Sequence, residues 1–453
     1  MVKPVKVGDM TTIKLENIAY GGDVVGRKDD FAIFVTGGVP GEVVKIKVTE
    51  VKRNYGRGKV VDVVAPVEER IDSECPKYDL CGGCQMQHID YTAQLNYKQQ
   101  MVEDAIERIA KLDDIKINQV KGMENPYLYR NKAQFPLGVE DEEVITGFYA
   151  AGSHKLIKVK DCQIQHPVIN RIVDRAVKLI EDYNLSIYNE EIHQGLLRHL
   201  VVRVGVCTNQ AMLVLVTKDE KFVKGQEIAH KLLEEVPELI SVYQNVNPEQ
   251  TNVVLGDKTA LLAGQEYILD YIGPIKYQIS PLSFFQVNSL QTKVLYDQVL
   301  EYAKLTGEEK VLDAYCGLGS ISLYLANQAQ EVYGIEVVPE AIEQAKENAK
   351  LNDINNCQFA VGKVKDVLPQ LKNQFSPEVI VVDPPRKGCH EEVLEAFAKI
   401  KPQRIVYVSC KPTSLARDLK RLKDLGYYTE EIQPVDMFPQ TYHIENVALI
   451  KKK

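Results

Sequence analysis

The sequence predicts an α/β protein in three parts: an N-terminal β-barrel, a small central α+β domain and a C-terminal parallel sheet covered by helices. Residues 8–65 consist of short alternating segments separated by turn-forming residues, which is typical of a small barrel. From about Tyr277 onward, apolar strand-like runs alternate with helix-like stretches, and this alternation indicates a doubly wound sheet. We therefore expect domains at 1–66, 67–275 and 276–453.

Composition and charge are those of a soluble multidomain protein. The chain has 453 residues, of which 45% are hydrophobic and 26% charged, and this length exceeds one ordinary core. No apolar run reaches membrane-spanning length and the N terminus lacks the apolar segment of a secretory signal, so we expect a cytoplasmic protein without a membrane anchor. The net charge of −8 argues against a generic polyanion binder but leaves a local nucleic-acid site open.

The predicted barrel carries a basic surface. Segment 43–60 contains a single acid, Glu50, with Tyr55 interleaved among the cations. These cations are Lys45, Lys47, Lys52, Arg53, Arg57 and Lys59. The surface suits a small oligonucleotide-binding (OB-like) barrel, while an ordinary solvated strand face explains the charge equally well.

Four cysteines have the spacing of metal ligands. Three form a Cys-x5-Cys-Gly-Gly-Cys stretch, and a fourth candidate stands in a similar turn-like context further on. They are Cys75, Cys81, Cys84 and Cys162. In a chain without an export signal, such cysteines indicate metal binding or catalysis rather than disulfides. From spacing alone, a structural zinc site is at least as well supported as an iron–sulfur cluster, and a non-metal role is the third alternative.

Residues 92–112 form a predicted amphipathic helix, which packs on either the central or the C-terminal domain. Two strand-like segments follow at 127–138 and 195–205. They carry Arg130, Lys132, Arg198 and Arg203. Both phosphate contact and an ordinary solvated strand face are consistent with these cations.

Three strand ends in the C-terminal domain carry polar or turn-forming residues. Strands are predicted at 310–315, 331–336, 357–361, 378–383, 404–409, 427–433 and 447–451. Gly317-Leu318-Gly319 follows the first strand, Asp383 ends the fourth, and Cys410 follows the fifth. Ligands collect at this edge of an open α/β sheet. The segment around Cys410 by itself favours a buried structural cysteine, although Lys411 beside it would favour the thiolate. Three such strand ends together reverse this preference and favour a site.

The glycine turn favours S-adenosylmethionine over a dinucleotide. Ser322 occupies the place of the third glycine of a dinucleotide fingerprint, so the pyrophosphate signal is incomplete. Glu336 ends the next strand, where a carboxylate can accept hydrogen bonds from a ribose. A vestigial turn without a ligand is the alternative.

Taken together, the motifs resemble those of the RNA 5-methyluridine methyltransferase family along the whole chain. They are Cys75-x5-Cys81-x2-Cys84 with Cys162, Phe285-Gln286-Val287-Asn288, Asp313-x-x-Cys316-Gly317-x-Gly319, Asp383-Pro384-Pro385-Arg386-x-Gly388, Ser409-Cys410-Lys411-Pro412 and His443-Ile444-Glu445. The N-terminal segment resembles the TRAM domain, an RNA-binding β-barrel.

This resemblance implies a Rossmann-like methyltransferase domain and a [4Fe–4S] cluster, rather than zinc, on the four cysteines. It also implies that Cys410 is the nucleophile and Glu445 the base. The implied contacts to S-adenosylmethionine are Gln286, Tyr315, Gly317, Glu336 and Asp383. Relatives often have Asp or Asn beside the adenine where this chain has Gly362-Lys363, so that contact is left unassigned.

The chemistry of uracil supports these roles. C5 of uracil is a weak nucleophile, and a thiolate added at C6 makes it enolate-like. After methyl transfer, a carboxylate must remove the C5 proton so that the thiol can leave. Arg386 stands where exocyclic-amine methyltransferases have Tyr or Phe and cytosine-C5 enzymes have cysteine, which favours uracil as the target.

The sequence therefore predicts a monomeric enzyme that methylates uracil C5 at one or two sites in 23S rRNA. Transfer RNA is the alternative substrate, because the preference for ribosomal RNA depends on analogy with relatives that combine a barrel and a cluster. A second alternative is a non-catalytic RNA-binding iron–sulfur protein. Cys410 and Glu445 together argue against it, since a binding module needs neither.

Overall fold

The N-terminal domain is a closed five-stranded barrel, as the sequence predicts. The computed structural model describes residues 3–112, 115–371 and 375–453, so the first two residues of the predicted domain 1–66 lie outside it. The barrel strands are Met10–Ile18 (β1), Val24–Lys28 (β2), Phe31–Thr36 (β3), Val43–Val51 (β4) and Tyr55–Ala65 (β5). They close in the order β1-β2-β3-β5-β4 around fully buried side chains such as Ile33.

One helix connects the barrel to the C-terminal domain. Helix α1 (Tyr91–Ala105) begins at Asp90, whose carboxylate accepts hydrogen bonds from the first free amides. It continues into a π-helical turn, Ile106–Ala110, and a two-residue strand follows, Lys116–Ile117 (β6). Val102, with Ile106 and Ala110 of the π-helical turn, belongs to the same buried core as the C-terminal sheet. The predicted helix 92–112 thus packs on the C-terminal domain.

A buried ion pair fixes α1 in this position. Lys98 Nζ donates to Asp436 Oδ1 at 2.6 Å and to the Phe438 carbonyl oxygen at 3.1 Å. The Lys98 and Asp436 side chains both have 0% exposure, and Asp436 also accepts a hydrogen bond from the Tyr91 hydroxyl at 3.0 Å. The chain segment that leads from Asp436 to Glu445 is therefore anchored to α1.

We expect Lys98→Met to lower the free energy of unfolding by about 3–5 kcal/mol, because it leaves the Asp436 carboxylate buried without its cation. Chemical denaturation followed by circular dichroism measures this change. The matched control is Lys346→Met, which breaks an exposed ion pair with Glu343 and should move the unfolding midpoint far less. Equal effects of the two substitutions would contradict the role given to Lys98.

The central domain is built on a seven-stranded mixed sheet with two helices. Its strands are Lys132–Glu140 (β7), Glu143–Tyr149 (β8), Leu156–Lys158 (β9), Leu197–Val204 (β10), Ala211–Thr217 (β11), Leu239–Val246 (β12) and Lys258–Gly264 (β13), and its helices are Pro167–Asp182 (α2) and Gly225–Glu235 (α3). The strand order is β13-β12-β11-β10-β7-β8-β9. A hairpin, Ile268–Ile272 (β14) with Ile275–Ile279 (β15), leads into the C-terminal domain.

Arg198 and Arg203 are buried, so both interpretations offered by the sequence are wrong for these two residues. Each is only 4% exposed. Arg198 Nη1 donates to the carbonyl oxygens of Asn247 at 2.5 Å and Glu249 at 2.7 Å. Arg203 donates to the carbonyl oxygen of Ser283. These guanidinium groups satisfy loop carbonyls that close over the sheet, and no phosphate can reach them.

The C-terminal domain contains every strand that the sequence predicts there. Its strands are Lys310–Ala314 (β16), Glu331–Glu336 (β17), Cys357–Val361 (β18), Val379–Val382 (β19), Arg404–Ser409 (β20), Tyr427–Val435 (β21) and Glu445–Lys452 (β22). Its helices are Ser289–Ala303 (α4), Ser320–Ala326 (α5), Pro339–Leu351 (α6), Val364–Leu371 (α7), Glu391–Ile400 (α8) and Pro412–Asp424 (α9).

The sheet of this domain has the order β18-β17-β16-β19-β20-β22-β21-β6, and β22 alone runs antiparallel to its two neighbours. The chain order reverses on either side of β16, and such a reversal opens a crevice at the carboxyl ends of the strands. The predicted site residues follow β16, β17, β19 and β20 at this edge. Among the described residues, no helix has the length and apolar character needed to cross a bilayer.

Candidate functional site

The turn after β16 contains three residues with left-handed backbone conformation. Tyr315, Gly317 and Gly319 have φ angles of 67°, 54° and 81°, and a non-glycine residue in this region indicates strain of the kind found at functional sites. A Cβ added to Gly317 would meet no atom within 4 Å, whereas one on Gly319 would lie 3.1 Å from the Ala345 side chain. Gly319 thus allows close packing of α6, and Gly317 faces open space where a ligand can lie.

Ser322 has a structural reason to replace the third glycine of a dinucleotide turn. Its hydroxyl donates to Asp313 Oδ2 at 2.6 Å beneath the turn. Asp313 is fully buried, and burial raises its pKa to about 7. This buried pair packs beneath the turn. The serine that replaces the third glycine therefore stabilises the turn.

Glu336 connects the end of β17 to the glycine turn. Its Oε1 accepts hydrogen bonds from the amides of Val337 at 2.7 Å and Val338 at 3.1 Å, and its Oε2 accepts one from the Gly317 amide at 3.3 Å. A carboxylate has about four lone-pair sites, so capacity is left for the hydroxyls of a ribose. The geometry suits the predicted cofactor contact.

The Phe284–Asn288 segment forms another part of the site. Asn131 holds it in place, with Nδ2 donating to the Gln286 carbonyl oxygen at 3.0 Å and the backbone amide donating to that of Val287 at 2.8 Å. Phe285 is 5% exposed and belongs to the core, whereas Phe284 is 75% exposed. Of these two adjacent aromatic residues, Phe284 is the one that is free to stack on a ligand.

The strand register brings Cys410 and Glu445 together. Ser409 at the end of β20 pairs with Asn446 of β22, so the next position places Cys410 opposite Glu445. Residues directly opposite each other in an antiparallel pair have Cβ atoms about 4.5–5.5 Å apart and share one face of the sheet. The predicted nucleophile and base therefore share the carboxyl edge of the sheet with Asp383.

Buried carboxyl groups dominate the electrostatics of this edge. Burial raises the pKa of Asp383 to about 6. Burial, and after it the proximity of Asp383, raises the pKa of Glu445 well above its usual value, while Arg386 opposes this rise. Two carboxyl groups in one apolar site cannot both ionise freely. Glu445 therefore retains a proton at a pH where an exposed glutamate has lost it.

The Cys410 thiol is harder to ionise than the sequence suggests. Burial raises its pKa to about 11, Glu445 and Asp383 add to the rise, and Arg386 opposes it. The prediction that Lys411 favours the thiolate is therefore wrong. The cation that lowers the pKa of Cys410 is Arg386 from the neighbouring loop. The carboxyl groups across the sheet edge outweigh it, so Cys410 is a thiol at neutral pH in the protein alone.

The loop that carries Arg386 is fixed by residues that the sequence did not single out. Gly388 has a φ of 77°, and a Cβ there would lie 2.4 Å from Asp418 Oδ2. That carboxylate oxygen accepts hydrogen bonds from the Cys389 amide at 2.8 Å and the Tyr407 hydroxyl at 2.7 Å. No local pattern marks Asp418 in the sequence, since its partners lie far away along the chain.

The four cysteines predicted as metal ligands line one cavity of about 340 Å³. Burial raises the pKa of Cys84 to about 12 and that of Cys162 to about 11. Arg130 and Lys132 line the same cavity, and burial lowers the pKa of Lys132 to about 7, with Arg203 and Arg130 adding to the effect.

The cavity does not have the geometry of a single-ion site. A zinc ion bonded to sulfur at about 2.3 Å draws its ligands into a tight tetrahedron, and no group of three or more His, Cys, Asp or Glu side chains within the described parts of the chain is close enough to hold one ion. The cysteines instead surround a larger volume. Four thiols and two cations in one cavity suit a larger anionic group.

Two known protein families match this chain, and together they cover most of its length. A family described as tRNA (uracil-5-)-methyltransferase matches residues 90–453, and the TRAM domain matches residues 4–61. An uncharacterized RNA methyltransferase of Halalkalibacterium halodurans is 48% identical over 99% of this chain and 98% of its own length. An uncharacterized RNA methyltransferase of Bacillus cereus is 46% identical over 100% of this chain and 98% of its own length.

A solved structure resembles the chain over almost its full length. It is the tRNA (uracil-54, C5)-methyltransferase of Pyrococcus abyssi in complex with S-adenosyl-L-homocysteine. The sequences are 27% identical, the TM-score is 0.77, and the match covers 98% of this chain and 100% of the other.

Proposed function

Because the chain belongs to the RNA uracil-5-methyltransferase family, whose members depend on S-adenosylmethionine, we propose that it methylates C5 of specific uridines in 23S rRNA through a bond between Cys410 and C6 of the base. The resemblance and the enzyme class inferred from the motifs are confirmed. The non-catalytic alternative is thereby set aside. The observation that supports the proposed mechanism is the pairing of Ser409 with Asn446, from which Cys410 and Glu445 are each one position away.

The proposed reaction balances with these two side chains. The Cys410 thiol releases its proton to solvent and its sulfur bonds to C6, and the electron pair of the C5–C6 double bond makes C5 nucleophilic. S-adenosylmethionine supplies the methyl group as an electrophile, and C5 accepts it. Glu445 in its ionised form, which Arg386 favours, then takes the C5 proton. The C5–C6 double bond re-forms, and the sulfur–C6 bond breaks to release Cys410. Arg386 faces both residues and stabilises negative charge on either of them.

The target base must leave its stack to reach Cys410, which is half-buried. Phe284 offers the exposed aromatic face beside Gln286, and stacking on an aromatic ring is worth about 1–3 kcal/mol per base. The basic strands β4 and β5 of the barrel supply a surface for the RNA backbone. We infer that the barrel binds RNA while the Phe284 ring supports the extruded nucleotide.

We propose that Cys75, Cys81, Cys84 and Cys162 hold a [4Fe–4S] cluster. A thiolate-ligated cluster is an anionic group, and Arg130 and Lys132 supply positive charge in the same cavity. The raised pKa values of Cys84 and Cys162 show that the protein alone does not favour thiolates there. Binding of the iron would supply the missing stabilisation.

Cys84→Ser should remove the cluster. Protein purified without oxygen is expected to contain about four iron and four sulfide per chain in the wild type and a small fraction of this in the variant. The matched control is Cys207→Ser, because Cys207 is exposed and lies outside this cavity. One zinc per chain in the wild type, or equal iron in both variants, would refute the assignment.

Transfer RNA is the second candidate substrate, because the similar structure from Pyrococcus abyssi is a tRNA (uracil-54, C5)-methyltransferase. The test is methyl transfer from labelled S-adenosylmethionine to transcripts of 23S rRNA and tRNA. It is combined with mass mapping of 5-methyluridine in both RNAs from cells that lack the gene. Loss of the mark only from tRNA would overturn the ribosomal assignment. The monomeric state, the cytoplasmic location and the domain limits stay predictions.

A further inference from the structure

The turn between β1 and β2 of the barrel lies directly on the catalytic segment of the C-terminal domain. The ring of Tyr20 in this turn contacts the ring of Tyr442 edge-on, with centroids 5.2 Å apart and an angle of 78° between the planes. Tyr442 is three residues before Glu445 in the sequence. A Cβ added to Gly22 would lie only 3.0 Å from the Gln85 side chain and 3.7 Å from the Tyr442 side chain. The turn is therefore closely packed and has little freedom.

This contact is fixed by backbone hydrogen bonds from a neighbouring segment. The amides of Gln85 and Met86 both donate to the Gln440 carbonyl oxygen at 3.0 Å. Gln94 Nε2 donates to Gln440 Oε1, also at 3.0 Å, and this side chain is buried. Met86 packs in the barrel core, and Gln440 precedes Tyr442 by only two residues, so these bonds connect the barrel to the catalytic segment.

Tyr20 begins a continuous row of aromatic side chains. The Tyr442 ring contacts the His443 ring at a tilt of 38°, with centroids 4.2 Å apart, and the His443 ring contacts that of Phe438 with centroids 5.8 Å apart. The row runs from the barrel along the segment that ends at Glu445. The rings are inclined to one another, so an individual ring of the row, rather than the row as a whole, is what a pyrimidine can pack against.

Tyr20 lies near enough to the reactive groups for their charges to act on its hydroxyl. Its pKa is raised to about 12, first by burial and then by the proximity of Tyr442 and Cys410, while Arg386 opposes the rise and Glu445 adds to it. Tyr20 is half-buried, so its hydroxyl stays protonated near neutral pH and keeps its capacity to donate a hydrogen bond. Uracil has two carbonyl oxygens that accept hydrogen bonds, and cytosine has only one.

We propose that Tyr20 of the N-terminal barrel forms one wall of the pocket for the target uracil and donates a hydrogen bond to a carbonyl oxygen of that base. This inference depends on the uracil methylation proposed above. It assigns the barrel a part in the reaction in addition to general RNA binding. Tyr20 is thus a positioning residue, and the catalytic domain alone has an incomplete base pocket.

The experiment compares Tyr20→Phe and Tyr20→Ala with the wild type in the full-length protein. We expect kcat/KM for RNA methylation to fall about 10-fold in Tyr20→Phe, which loses one hydrogen bond, and about 100-fold in Tyr20→Ala, which also loses the wall. RNA affinity in a filter-binding assay and the affinity for S-adenosylmethionine should stay within about 2-fold, because most contacts to a large RNA lie elsewhere. The loss should appear mainly in kcat.

A second readout uses RNA that carries 5-fluorouridine at the target position. Fluorine cannot leave as a proton, so the adduct between Cys410 and the base accumulates and its rate of formation can be followed on denaturing gels. Tyr20→Ala should slow this step. The matched controls are Tyr97→Phe and Tyr97→Ala, since Tyr97 also packs against the barrel core, and both should form the adduct at the wild-type rate.

Wild-type rates in both Tyr20 variants would overturn the inference. So would a loss of RNA affinity and thermal stability as large as the loss of rate, since this is the result of a purely structural contact. If the wild type itself formed no adduct and no 5-methyluridine, the proposed function would fail first, and the role of Tyr20 would fall with it. These results are distinguishable because the wild type is measured in each assay.

Discussion

Replacing Cys410 by alanine should abolish methylation, with a loss on the order of 10⁴-fold or more, because no other group can make C5 of uracil nucleophilic. Cys410 follows β20 at a half-buried position, and alanine fits the space that the thiol leaves. Binding of S-adenosylmethionine and of RNA should therefore persist. The assay is transfer of a labelled methyl group to an RNA transcript, with calorimetry to establish that the cofactor still binds.

The control for this substitution is Cys207→Ala, since Cys207 is the exposed cysteine of the central domain and should leave the rate unchanged. Retained turnover in Cys410→Ala would remove Cys410 as the nucleophile. The pH dependence supplies a further check. Because the thiol pKa is raised to about 11 in the protein alone, the thiolate fraction grows with pH through the neutral range. Adduct formation with 5-fluorouridine RNA should accelerate as the pH rises from 7 to 9.

The catalytic sheet was predictable because its strands are short apolar runs bounded by turn residues. The predicted strand at 404–409 is observed at Arg404–Ser409, and the predicted strand at 331–336 at Glu331–Glu336. A parallel sheet buries both faces, so this signal is strong in a single sequence. The position of Cys410 at a strand end follows directly from the same pattern.

The parts that could not be predicted depend on contacts between distant segments. Strand β2 of the barrel has only five residues and contains Gly26, whose missing side chain makes room for Ile13, and a closure of this kind leaves no pattern in a single sequence. The sequence predicts that Lys411 lowers the pKa of Cys410, because Lys411 is its neighbour along the chain. In the folded protein Arg386 has this effect. Tyr20 reaches the site from the far end of the chain, and no local pattern indicates such an approach.

Glu445→Gln should trap the covalent RNA adduct. The amide keeps the size and most hydrogen bonds of the carboxyl group but cannot take the C5 proton, so Cys410 cannot leave. We expect methyl transfer to occur once per chain and turnover to fall by about 10²–10⁴-fold. Denaturing gels with labelled RNA should show a slower-migrating complex that carries both the RNA and the methyl label. Glu391→Gln on the exposed start of α8 is the matched control and should turn over normally.

Glu445→Gln should raise the stability of the fold while it lowers turnover. This difference separates a catalytic role of Glu445 from a structural one. The pKa of Glu445 is raised in the folded protein by burial and by Asp383. Ionised Glu445 is therefore less stable in the folded chain than in the unfolded chain. This penalty is absent below the unfolded pKa, where both forms are protonated, and it grows as the pH rises toward the folded pKa. Glu445→Gln should consequently unfold at a higher temperature than the wild type at pH 7 and at nearly the same temperature at pH 4.

A variant that releases RNA freely and turns over at the wild-type rate would refute Glu445 as the base. A variant that is destabilised at pH 7 would show instead that the carboxylate is needed for folding.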